Sequence, residues 1–526
     1  MKKRDFFRSA GATVAVMILA TLLSKALGLV RQMMTAAIFA ASMEGIAFST
    51  ASRLPLAIFD MLFSTAVVGA FLPIYKGNLS SDKERAKRFS SSFLTTVTLV
   101  TAAVSLLGIL FAEPLIALSA PDLDEKTASL AVTLLRIMFP SMIFAGAAYT
   151  LVGILQSHES FILPALVSAI SNLVMIVYLL FCKTPVDQTA AIGFAFAYLI
   201  SWLAQFLTLA VPLFRKGFLP SPTARLNDPD TMLALRRSLP VMFGSWLIPM
   251  ITLAAGAFSS FIPGGVIENG AQTGAAIVVY ENAFSVFSIA AGLLTYGVCN
   301  YIFPKLSARA ANKDGEGFSR LIQNGLFASA ALILPITIFV FLLSDEIVTL
   351  LYMRGAFSAG LAAAAGKSLR MLSLAMPAYG IIELLSRVCY SDGKVRLPML
   401  SSFCGIASAL TAFFIFRLTD MLSVETVALS VAIGLSAAAL TLYILCARFF
   451  TDMHKGMCFS KYILLLTGCA VSGVVMFFSK LFLEHFLNFS GAFQNFITIA
   501  IVFITGFMVY LIWLIMTKII NAEMFR

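Results

Sequence analysis

The sequence predicts an all-α polytopic membrane protein, and three observations lead to that fold class. Of its 526 residues, 60% are hydrophobic and only 12% are charged, whereas an ordinary soluble domain carries about 25% charged residues. The apolar residues form runs long enough to cross a bilayer as helices. These runs lack the alternation of apolar and polar residues that a membrane-spanning β-strand requires. A soluble, disordered or fibrous protein is therefore excluded.

Apolar segments long enough for a transmembrane helix, which needs about 20 residues, occur fourteen times along the chain. Prolines inside four of them predict breaks at Pro55, Pro140, Pro249 and Pro377, where the freed backbone groups must face protein or water. The predicted spans are 10–39, 46–75, 89–112, 127–155, 161–181, 189–214, 233–262, 272–304, 318–343, 360–390, 397–417, 424–449, 461–483 and 492–519.

The basic residues between these segments predict the topology. If the N-terminus is cytoplasmic and the spans alternate, the inside segments hold 26 Lys and Arg and the outside loops hold five. Such a bias is typical of cytoplasmic loops, so both termini are expected in the cytoplasm. The same bias explains the net charge of +11 without a nucleic-acid partner. Basic residues at 80–90 are expected to face lipid headgroups.

An internal repeat organises the first twelve spans. Leu134–Arg136 matches Ser368–Arg370 at an offset of 234, and the same offset pairs Leu163-Pro164 with Leu397-Pro398. Six spans per copy is an even number, so the copies share one orientation, as in transporters built from parallel repeats. The predicted domains are an N-lobe at 1–214, a cytoplasmic linker at 215–237, a C-lobe at 238–449 and two extra C-terminal spans at 450–526.

Several kinds of chemistry have no support in the sequence. The seven cysteines are scattered and the three histidines lie near span ends or in loops, so a metal site or a hydrolase triad has few candidate residues. The chain has no phosphate-binding loop of the GxxxxGK[ST] type and no dinucleotide-binding glycine motif. We therefore expect no cofactor, no enzymatic activity and no ATP-driven pumping. Energy would come from an ion gradient, the membrane potential or substrate supply.

Ionisable residues inside the predicted spans are the candidate functional residues. Each costs about 2.5–3.5 kcal/mol at a helix centre on insertion scales, so each needs a partner or a polar cavity. Pairing within the bundle or snorkelling to an interface is the competing explanation, strongest for Arg136 and Lys367 near span ends. Six of the nine are basic, and this excess predicts an anionic substrate. The nine are Lys25, Arg31, Arg53, Asp60, Arg136, Glu281, Lys367, Arg370 and Glu383.

The first two spans hold three of these basic residues, Lys25, Arg31 and Arg53. Lys25 and Arg31 are six residues apart, which places them about 120° apart around a straight helix. Both could line one wide cavity, particularly if Gly28 bends the helix between them. The planar fork of arginine suits phosphate oxygens, and lysine acts as a point charge.

Several segments in chain order resemble the MurJ/MviN family. Ser24–Arg31 resembles the family's S-R-x-L-G-x-x-R opening, and Leu135–Pro140 resembles its R-I-M-F-P segment in span 4. The other matches are Arg53-Leu54-Pro55, Phe71-Leu72-Pro73, Gly153–Phe161, Phe303–Ser307 and Arg354–Phe357.

This resemblance implies a member of the multidrug/oligosaccharidyl-lipid/polysaccharide exporter superfamily. Its members would flip lipid II across the bacterial inner membrane by alternating access, for peptidoglycan synthesis. It also implies two lobes around a cationic cavity and a groove for the lipid tail formed by the last two spans. Lys25, Arg31 and Arg53 would hold the pyrophosphate, with Asp60, Glu281 and Glu383 as counter-charges or ion-coupling groups. Expected partners are lipid II, membrane lipids and cell-wall synthesis proteins, and a monomer is expected.

The sequence departs from the family pattern at four positions. The family's span-1 arginine is Lys25, its span-2 aspartate falls on Ile46, and two further basic residues fall on Phe59 and Ser285. Either the anion site is rebuilt with Arg53 and Arg370, or the substrate differs.

Three other functions remain open at this point. The chain could export another lipid-linked glycan or an organic cation, and a cation exporter would depend on its carboxylates more than on its arginines. It could also be a membrane scaffold or regulator, because fold alone does not guarantee transport. A membrane enzyme has the least support, since no nucleophile and base are suitably placed in the sequence.

Overall fold

The computed structural model describes residues 2–64, 71–215, 217–218, 220–223, 225–312, 314–450, 459–486 and 491–517. Within these ranges the regular structure is helical, with one π turn and no strand. The all-α prediction is therefore confirmed. Polar side chains cap the first turns of several helices. Asp82 accepts hydrogen bonds from the backbone N–H groups of Glu84 at 2.9 Å and Arg85 at 3.2 Å, as expected for a good N-cap.

The N-terminal part of the chain forms nine helices and the π turn. Their bounds are α1 (Lys2–Phe39), α2 (Met43–Phe59), the π turn (Asp60–Ser64), α3 (Leu72–Ser81), α4 (Lys83–Leu110), α5 (Ala112–Ser119), α6 (Glu125–Met138), α7 (Ser141–Ser157), α8 (Ile162–Leu180) and α9 (Gln188–Arg215).

The remaining described helices follow from residue 229 onward. Their bounds are α10 (Pro229–Gly244), α11 (Leu247–Ser260), α12 (Gly264–Ile267), α13 (Ala275–Ala311), α14 (Gly315–Leu342), α15 (Ser344–Tyr352), α16 (Ala359–Ser373), α17 (Met376–Ser391), α18 (Arg396–Leu418), α19 (Val424–Phe449), α20 (Phe459–Phe486) and α21 (Ala492–Met516).

Twelve of the described helical segments are long and apolar enough to cross a membrane. Two further pairs, α10 with α11 and α16 with α17, pass the same test together, so the total reaches fourteen when each pair is one span. This agrees with the fourteen predicted spans. α16 and α17 meet at an angle of 48°.

The predicted proline breaks are correct at three of four positions. Pro140 lies between α6 and α7, Pro377 is the second residue of α17, and Pro249 lies in the first turn of α11. Proline is tolerated in a first turn because its missing N–H would have no partner inside the helix. The predicted break at Pro55 is wrong, because α2 runs unbroken through it to Phe59. The helix changes to a π turn only at Asp60.

The described chain forms two compact units. The first unit contains Met1–Pro249 with Ala271–Val278, and the second contains Met250–Gly270 with Val279–Arg526. In the first unit aromatic rings join α1, α2 and α9, since Phe194 stacks on Phe48 at 4.3 Å and on Phe39 at 5.3 Å between ring centroids. Such aromatic pairs add to the stabilisation from burial.

The last two helices, α20 and α21, pack on α14 and α15 within the second unit. The Tyr510 hydroxyl donates to the backbone carbonyl of Ala331 at 2.7 Å. Lys480 donates to the carbonyl of Leu342 at 2.9 Å and pairs with Glu346 at 2.6 Å. The two spans that lie outside the predicted repeat therefore have a specific attachment, made of buried apolar contacts and one ion pair.

Candidate functional site

One face of α1 packs closely on α8, and three residues of the opening motif lie on or near that face. The Ser24 hydroxyl donates to the Ala165 carbonyl at 3.0 Å, and the Asn172 side-chain amide donates to the Ser24 carbonyl at 3.3 Å. A Cβ atom on Gly28 would lie 3.3 Å from the Asn172 amide nitrogen. Small residues of this kind allow membrane helices to approach each other. Gly28 thus serves close packing, and α1 remains helical through it.

Arg31 lies on this same face of α1. It follows Ser24 by seven residues, or about two helical turns, and its Nη1 lies 3.7 Å from the Met175 sulfur of α8. Arg31 is half-buried, whereas Lys25, one residue after Ser24, is exposed. The two cations of the motif therefore occupy different environments.

Arg53 and Asp60 lie on one face of α2 and its continuation. They are seven residues apart, and Asp60 still has right-handed helical backbone angles as the C-cap of α2. The Nε atom of Arg53 donates to the Ser49 carbonyl one turn earlier at 3.1 Å. Both side chains are half-buried. Asp60 also opens the π turn, a distortion that is frequent at functional sites.

Arg31 and Asp60 both act electrostatically on a tyrosine that the sequence pattern does not identify. Tyr198 of α9 is buried, and both Arg31 and Asp60 lie within electrostatic range of its hydroxyl. Tyr149 of α7 lies near Asp60 in the same way. Tyrosines inside spans are common as interface residues, so the sequence carried no signal for this cluster. In the first unit, a cation of α1 and the carboxylate that follows α2 thus lie within electrostatic range of the same phenol group.

The second unit holds Arg370 in an ion pair. Its Nη2 pairs with Asp345 of α15, and its Nε donates to the Ser344 hydroxyl at 3.2 Å. The side chains of Arg370 and Asp345 are 34% and 44% exposed. The sequence predicts Arg370 as a substrate-binding residue, but in the structure the Asp345 carboxylate already balances its positive charge.

The two predicted carboxylates of the second unit lie on α13 and α17. Glu383 pairs with Arg387 one turn later at 3.4 Å, and Tyr379 and Cys299 lie within electrostatic range of this pair. Glu281 is half-buried on α13.

Arg136 and Lys367 support the explanation by ion pairing within the bundle rather than the explanation by a polar cavity. Arg136 contacts Glu113 at 3.0 Å, and Lys367 contacts Glu425 at 3.3 Å. All four side chains are between 45% and 73% exposed. Exposed pairs of this type are worth about 0.2–1 kcal/mol.

Two of the three positions where the resembling family carries a charged residue are filled by core packing in this chain. Ile46 and Phe59 are fully buried, and the Phe59 ring lies 5.2 Å from that of Tyr149 and 5.8 Å from that of Phe63. Ser285 is half-buried on α13. A charged side chain at position 46 or 59 would therefore require repacking of the core.

A metal centre has no support in the described part of the chain. No group of three or more His, Cys, Asp or Glu side chains there could hold a metal ion.

The fold defines the class of protein. A multidrug resistance MATE family transporter of the MOP superfamily, in an inward-facing conformation, aligns with a TM-score of 0.67 at 13% identity. The alignment covers 84% of this chain and 99% of the transporter. A lipid II flippase MurJ in an inward closed conformation aligns with a TM-score of 0.73 at 21% identity, over 97% of this chain and 100% of that one. The chain has the fold of the MOP superfamily.

The sequence comparisons show the family. The lipid II flippase MurJ family matches residues 35–516, and the chain belongs to that family. A probable lipid II flippase MurJ of Buchnera aphidicola subsp. Schizaphis graminum is 25% identical over 513 residues, covering 89% of this chain and 96% of that protein. The lipid II flippase MurJ of Burkholderia cenocepacia is 24% identical over 388 residues, covering 72% of this chain and 73% of that protein. The resemblance noted in the sequence is thereby confirmed.

Proposed function

We propose that this protein translocates lipid II from the cytoplasmic to the outer leaflet of the bacterial inner membrane by alternating access. The match of the lipid II flippase MurJ family over residues 35–516 carries this proposal. Exporters of other lipid-linked glycans or of organic cations are not favoured, since the relatives that match along most of the chain are lipid II flippases. The protein acts as a transporter, without a catalytic step of its own.

The pyrophosphate of lipid II is the group that the first unit is suited to bind. Arg31 and Arg53 are half-buried cations on neighbouring helices, and Lys25 adds an exposed charge to the same helix as Arg31. Hydrogen bonds between arginine and phosphate oxygens are charge-assisted and about twice as strong as neutral ones. Asp60 and Arg31 both lie within electrostatic range of the Tyr198 hydroxyl. The Asp60 carboxylate therefore offsets the positive charge of the site when no substrate is bound.

Residues of the second unit contribute less directly. Arg370 can reach a phosphate only if it leaves Asp345, so its role depends on that ion pair opening. Glu281 and Glu383 serve as counter-charges or ion-coupling groups. Movement of an anion to the outer leaflet is favoured by an inside-negative potential, at about 2.3 kcal/mol per charge per 100 mV.

For the arrangement in the membrane, the proposal keeps the domain bounds and the topology that the sequence predicts. The lobes comprise residues 1–214 and 238–449, joined by the linker at 215–237, and the termini are cytoplasmic. Residues 450–526 form the groove for the lipid tail, and part of that segment lies outside the described residues. Exposed phenylalanines on α20 and α21 support this role: Phe477, Phe478, Phe482, Phe493 and Phe496. The protein works as a monomer alongside cell-wall synthesis proteins.

Rescue of a bacterium depleted of its own lipid II flippase tests the function and the site together. Wild-type chain, Arg31→Ala and Arg136→Ala are expressed at matched membrane levels. Wild type and Arg136→Ala should rescue growth, because Arg136 is already paired with Glu113 and both side chains are exposed. Arg31→Ala should lose about 10–100-fold in lipid II translocation, since hydrogen bonds to charged groups are worth about 1.5–3 kcal/mol.

One result would contradict the proposed substrate, and another would contradict the proposed binding site. Failure of the wild-type chain despite confirmed membrane insertion would argue for a different lipid-linked substrate. Equal rescue by Arg31→Ala and wild type would remove Arg31 from the binding site but leave the function standing.

A further inference from the structure

An indole from the break between α10 and α11 contacts the π turn that begins at Asp60. The Nε1–H group of Trp246 donates a hydrogen bond to the backbone carbonyl of Met61 at 3.1 Å. Trp246 lies in the two-residue break between the two helices, and Met61 is the second residue of the π turn. Both residues belong to the first unit. Because 185 positions separate them, this contact ties two distant distortions of the helical chain together.

The orientation of the Trp246 ring is set by its local surroundings. α10 ends at Gly244, and Ser245 closes its last turn. The backbone N–H of Ser245 donates to the Met242 carbonyl at 2.9 Å, and its hydroxyl donates to the same carbonyl at 2.7 Å. The Phe243 ring packs against the indole, with 4.8 Å between the ring centroids. Trp246 is half-buried, and a tryptophan in such a place needs a partner for its N–H.

The backbone is held on both sides of Asp60. Before it, the backbone N–H of Asp60 donates to the carbonyls of Leu56 and Ala57 inside α2. After it, the Trp246 indole holds the Met61 carbonyl. A π turn contains one residue more than an α-helical turn, and successive residues of a helix are rotated by about 100°. A shift of the π turn along the chain would therefore redirect the Asp60 side chain, and the indole opposes that shift.

The direction of the Asp60 side chain affects the charge of the proposed substrate site. Asp60 and Arg31 both lie within electrostatic range of Tyr198, and Asp60 also lies within range of Tyr149. Asp60 is half-buried, and charges in such a place are screened less than charges in water. Their interaction weakens as the distance grows. A redirected Asp60 carboxylate would therefore offset less of the positive charge of Arg31.

We propose that Trp246 is a positioning residue of the lipid II site, which acts through the Met61 carbonyl on the direction of the Asp60 carboxylate. This inference rests on the function proposed above, because it assigns a role in the same site. Loss of the indole N–H leaves the cations of the site less neutralised, so lipid II binds more tightly and is released more slowly. The lipid II concentration at half-maximal rate and the maximal rate then both fall.

Translocation of lipid II by the purified full chain in lipid vesicles tests this role. Trp246→Phe keeps an aromatic ring but removes the indole N–H, and Asp60→Asn removes the charge itself. Tyr178→Phe is the matched control, because it deletes another hydrogen bond to a backbone carbonyl in the first unit, from the Tyr178 hydroxyl to Ala190 at 2.8 Å. A variant that only loses folded protein has a lower maximal rate but an unchanged half-saturating concentration.

Trp246→Phe should lower the half-saturating lipid II concentration about 2–12-fold, the range that corresponds to one hydrogen bond, and should lower the maximal rate as well. Tyr178→Phe should leave the half-saturating concentration unchanged. Phe243→Leu removes the ring that orients the indole and should act in the same direction as Trp246→Phe. The double variant Trp246→Phe/Asp60→Asn should equal Asp60→Asn alone. Additive effects in the double variant would overturn the proposal, as would equal half-saturating concentrations for Trp246→Phe and Tyr178→Phe.

Chemical labelling of Asp60 separates the positioning role from the proposed function, because it needs no substrate. Dicyclohexylcarbodiimide adds covalently to carboxyl groups in apolar surroundings, and mass spectrometry of peptides measures the adduct at Asp60. Trp246→Phe should be labelled there about 2–12-fold faster than wild type. Trp513→Phe is the control, because it deletes an equivalent bond from an indole to the Leu464 carbonyl at 2.9 Å, and it should be labelled like wild type.

The two measurements fail in different ways. Faster labelling in Trp246→Phe, combined with a wild-type chain that does not translocate lipid II, would support the positioning role and contradict the proposed substrate. Equal labelling of Trp246→Phe and wild type would overturn the positioning role and leave the proposed function standing.

Discussion

Two helix series in this molecule are built to the same plan and differ in a few side chains. The series α4–α9 and α14–α19 each contain a long helix, a short one, a pair of helices separated by two residues, and two further long helices. Asp82 caps the first long helix, and Asp314 caps its counterpart at an offset of 232. In order, the helix lengths are 28, 8, 14, 17, 19 and 28 residues in the first series, and 28, 9, 15, 16, 23 and 26 in the second.

An ion pair recurs at the same place in both series. Arg136 is the twelfth residue of α6 and pairs with the second residue of α5, Glu113. Arg370 is the twelfth residue of α16 and pairs with the second residue of α15, Asp345. A contact that is repeated in both copies serves the architecture, because lipid II needs to be bound only once.

Arg53 of α2 and Asp60, which follows it, differ from this repeated ion pair, because the second copy has no charged residue at the corresponding positions. α2 starts at Met43 and α13 at Ala275, and this offset of 232 places Ser285 opposite Arg53. Gly292 falls opposite Asp60 by the same offset. Residues that distinguish the two copies are therefore better candidates for the substrate site than residues that the copies share. This reasoning favours Arg53 and Asp60 over Arg370.

The two short helices also differ at their third residue. Pro114 of α5 corresponds to Glu346 of α15, and Glu346 holds Lys480 of α20 at 2.6 Å. Glu346 thus attaches α20, and with it the C-terminal pair α20 and α21, to the second series. The first series has no carboxylate at the corresponding position. The side chains of Lys480 and Glu346 are only 17% and 13% exposed.

The largest expected effect comes from breaking this anchor with Lys480→Met. Removing one partner of a buried ion pair costs about 3–5 kcal/mol, because the other charge is left buried and unpaired. Thermal unfolding of the purified protein, followed by fluorescence, should show a clearly lower midpoint. Glu484→Gln is the control, since Glu484 lies 3.8 Å from the same lysine but is 47% exposed. The double variant Lys480→Met/Glu346→Gln should recover part of the loss; no recovery would mean that the pair is not the anchor.

The second prediction exchanges a residue between the two series. Gly366, the eighth residue of α16, corresponds to Val132 of α6. A Cβ on Gly366 would lie 2.9 Å from the Asp345 Cα, so only glycine allows the short aspartate to approach Arg370. Gly366→Val should lower stability by about 1–3 kcal/mol through overpacking. Thermal unfolding again measures it.

Ala363→Val is the matched control for this exchange. It adds the same β-branched side chain to α16 at an exposed position, so it isolates the small helix-propensity cost. If Gly366→Val and Ala363→Val have equal midpoints, the close approach of α15 and α16 does not depend on glycine.

Much of this fold could be predicted from the sequence, because membrane spans depend on length and composition alone. The fourteen spans, the basic loops and the repeat all follow from patterns of residues in order along the chain. The break at Pro55 was predicted wrongly, since a proline can remain inside a long helix when neighbouring segments stabilise it. The actual distortion at Asp60 carries no proline or glycine signal.

The candidate site could be predicted only in part. Charged residues inside spans are visible in the sequence because of their energetic cost, and this identified Arg31, Arg53 and Asp60. Which of them meet depends on helix rotation and packing, and the tyrosine cluster around Tyr198 appears only in three dimensions. The ion pair of Arg370 with Asp345 was missed for the same reason, as the two residues are separated by 25 positions.

The smallest expected effect concerns the ion pair of the first series and measures how far the two copies differ energetically. A double-mutant cycle with Arg136→Gln and Glu113→Gln should give a coupling of about 0.2–1 kcal/mol, because these side chains are 45% and 73% exposed. The corresponding cycle with Arg370→Gln and Asp345→Asn should give a larger value, since that pair is less exposed and Arg370 also contacts Ser344. If the first coupling exceeds the second, exposure does not govern these pairs, and Arg370 becomes the cation that is easier to release toward a phosphate.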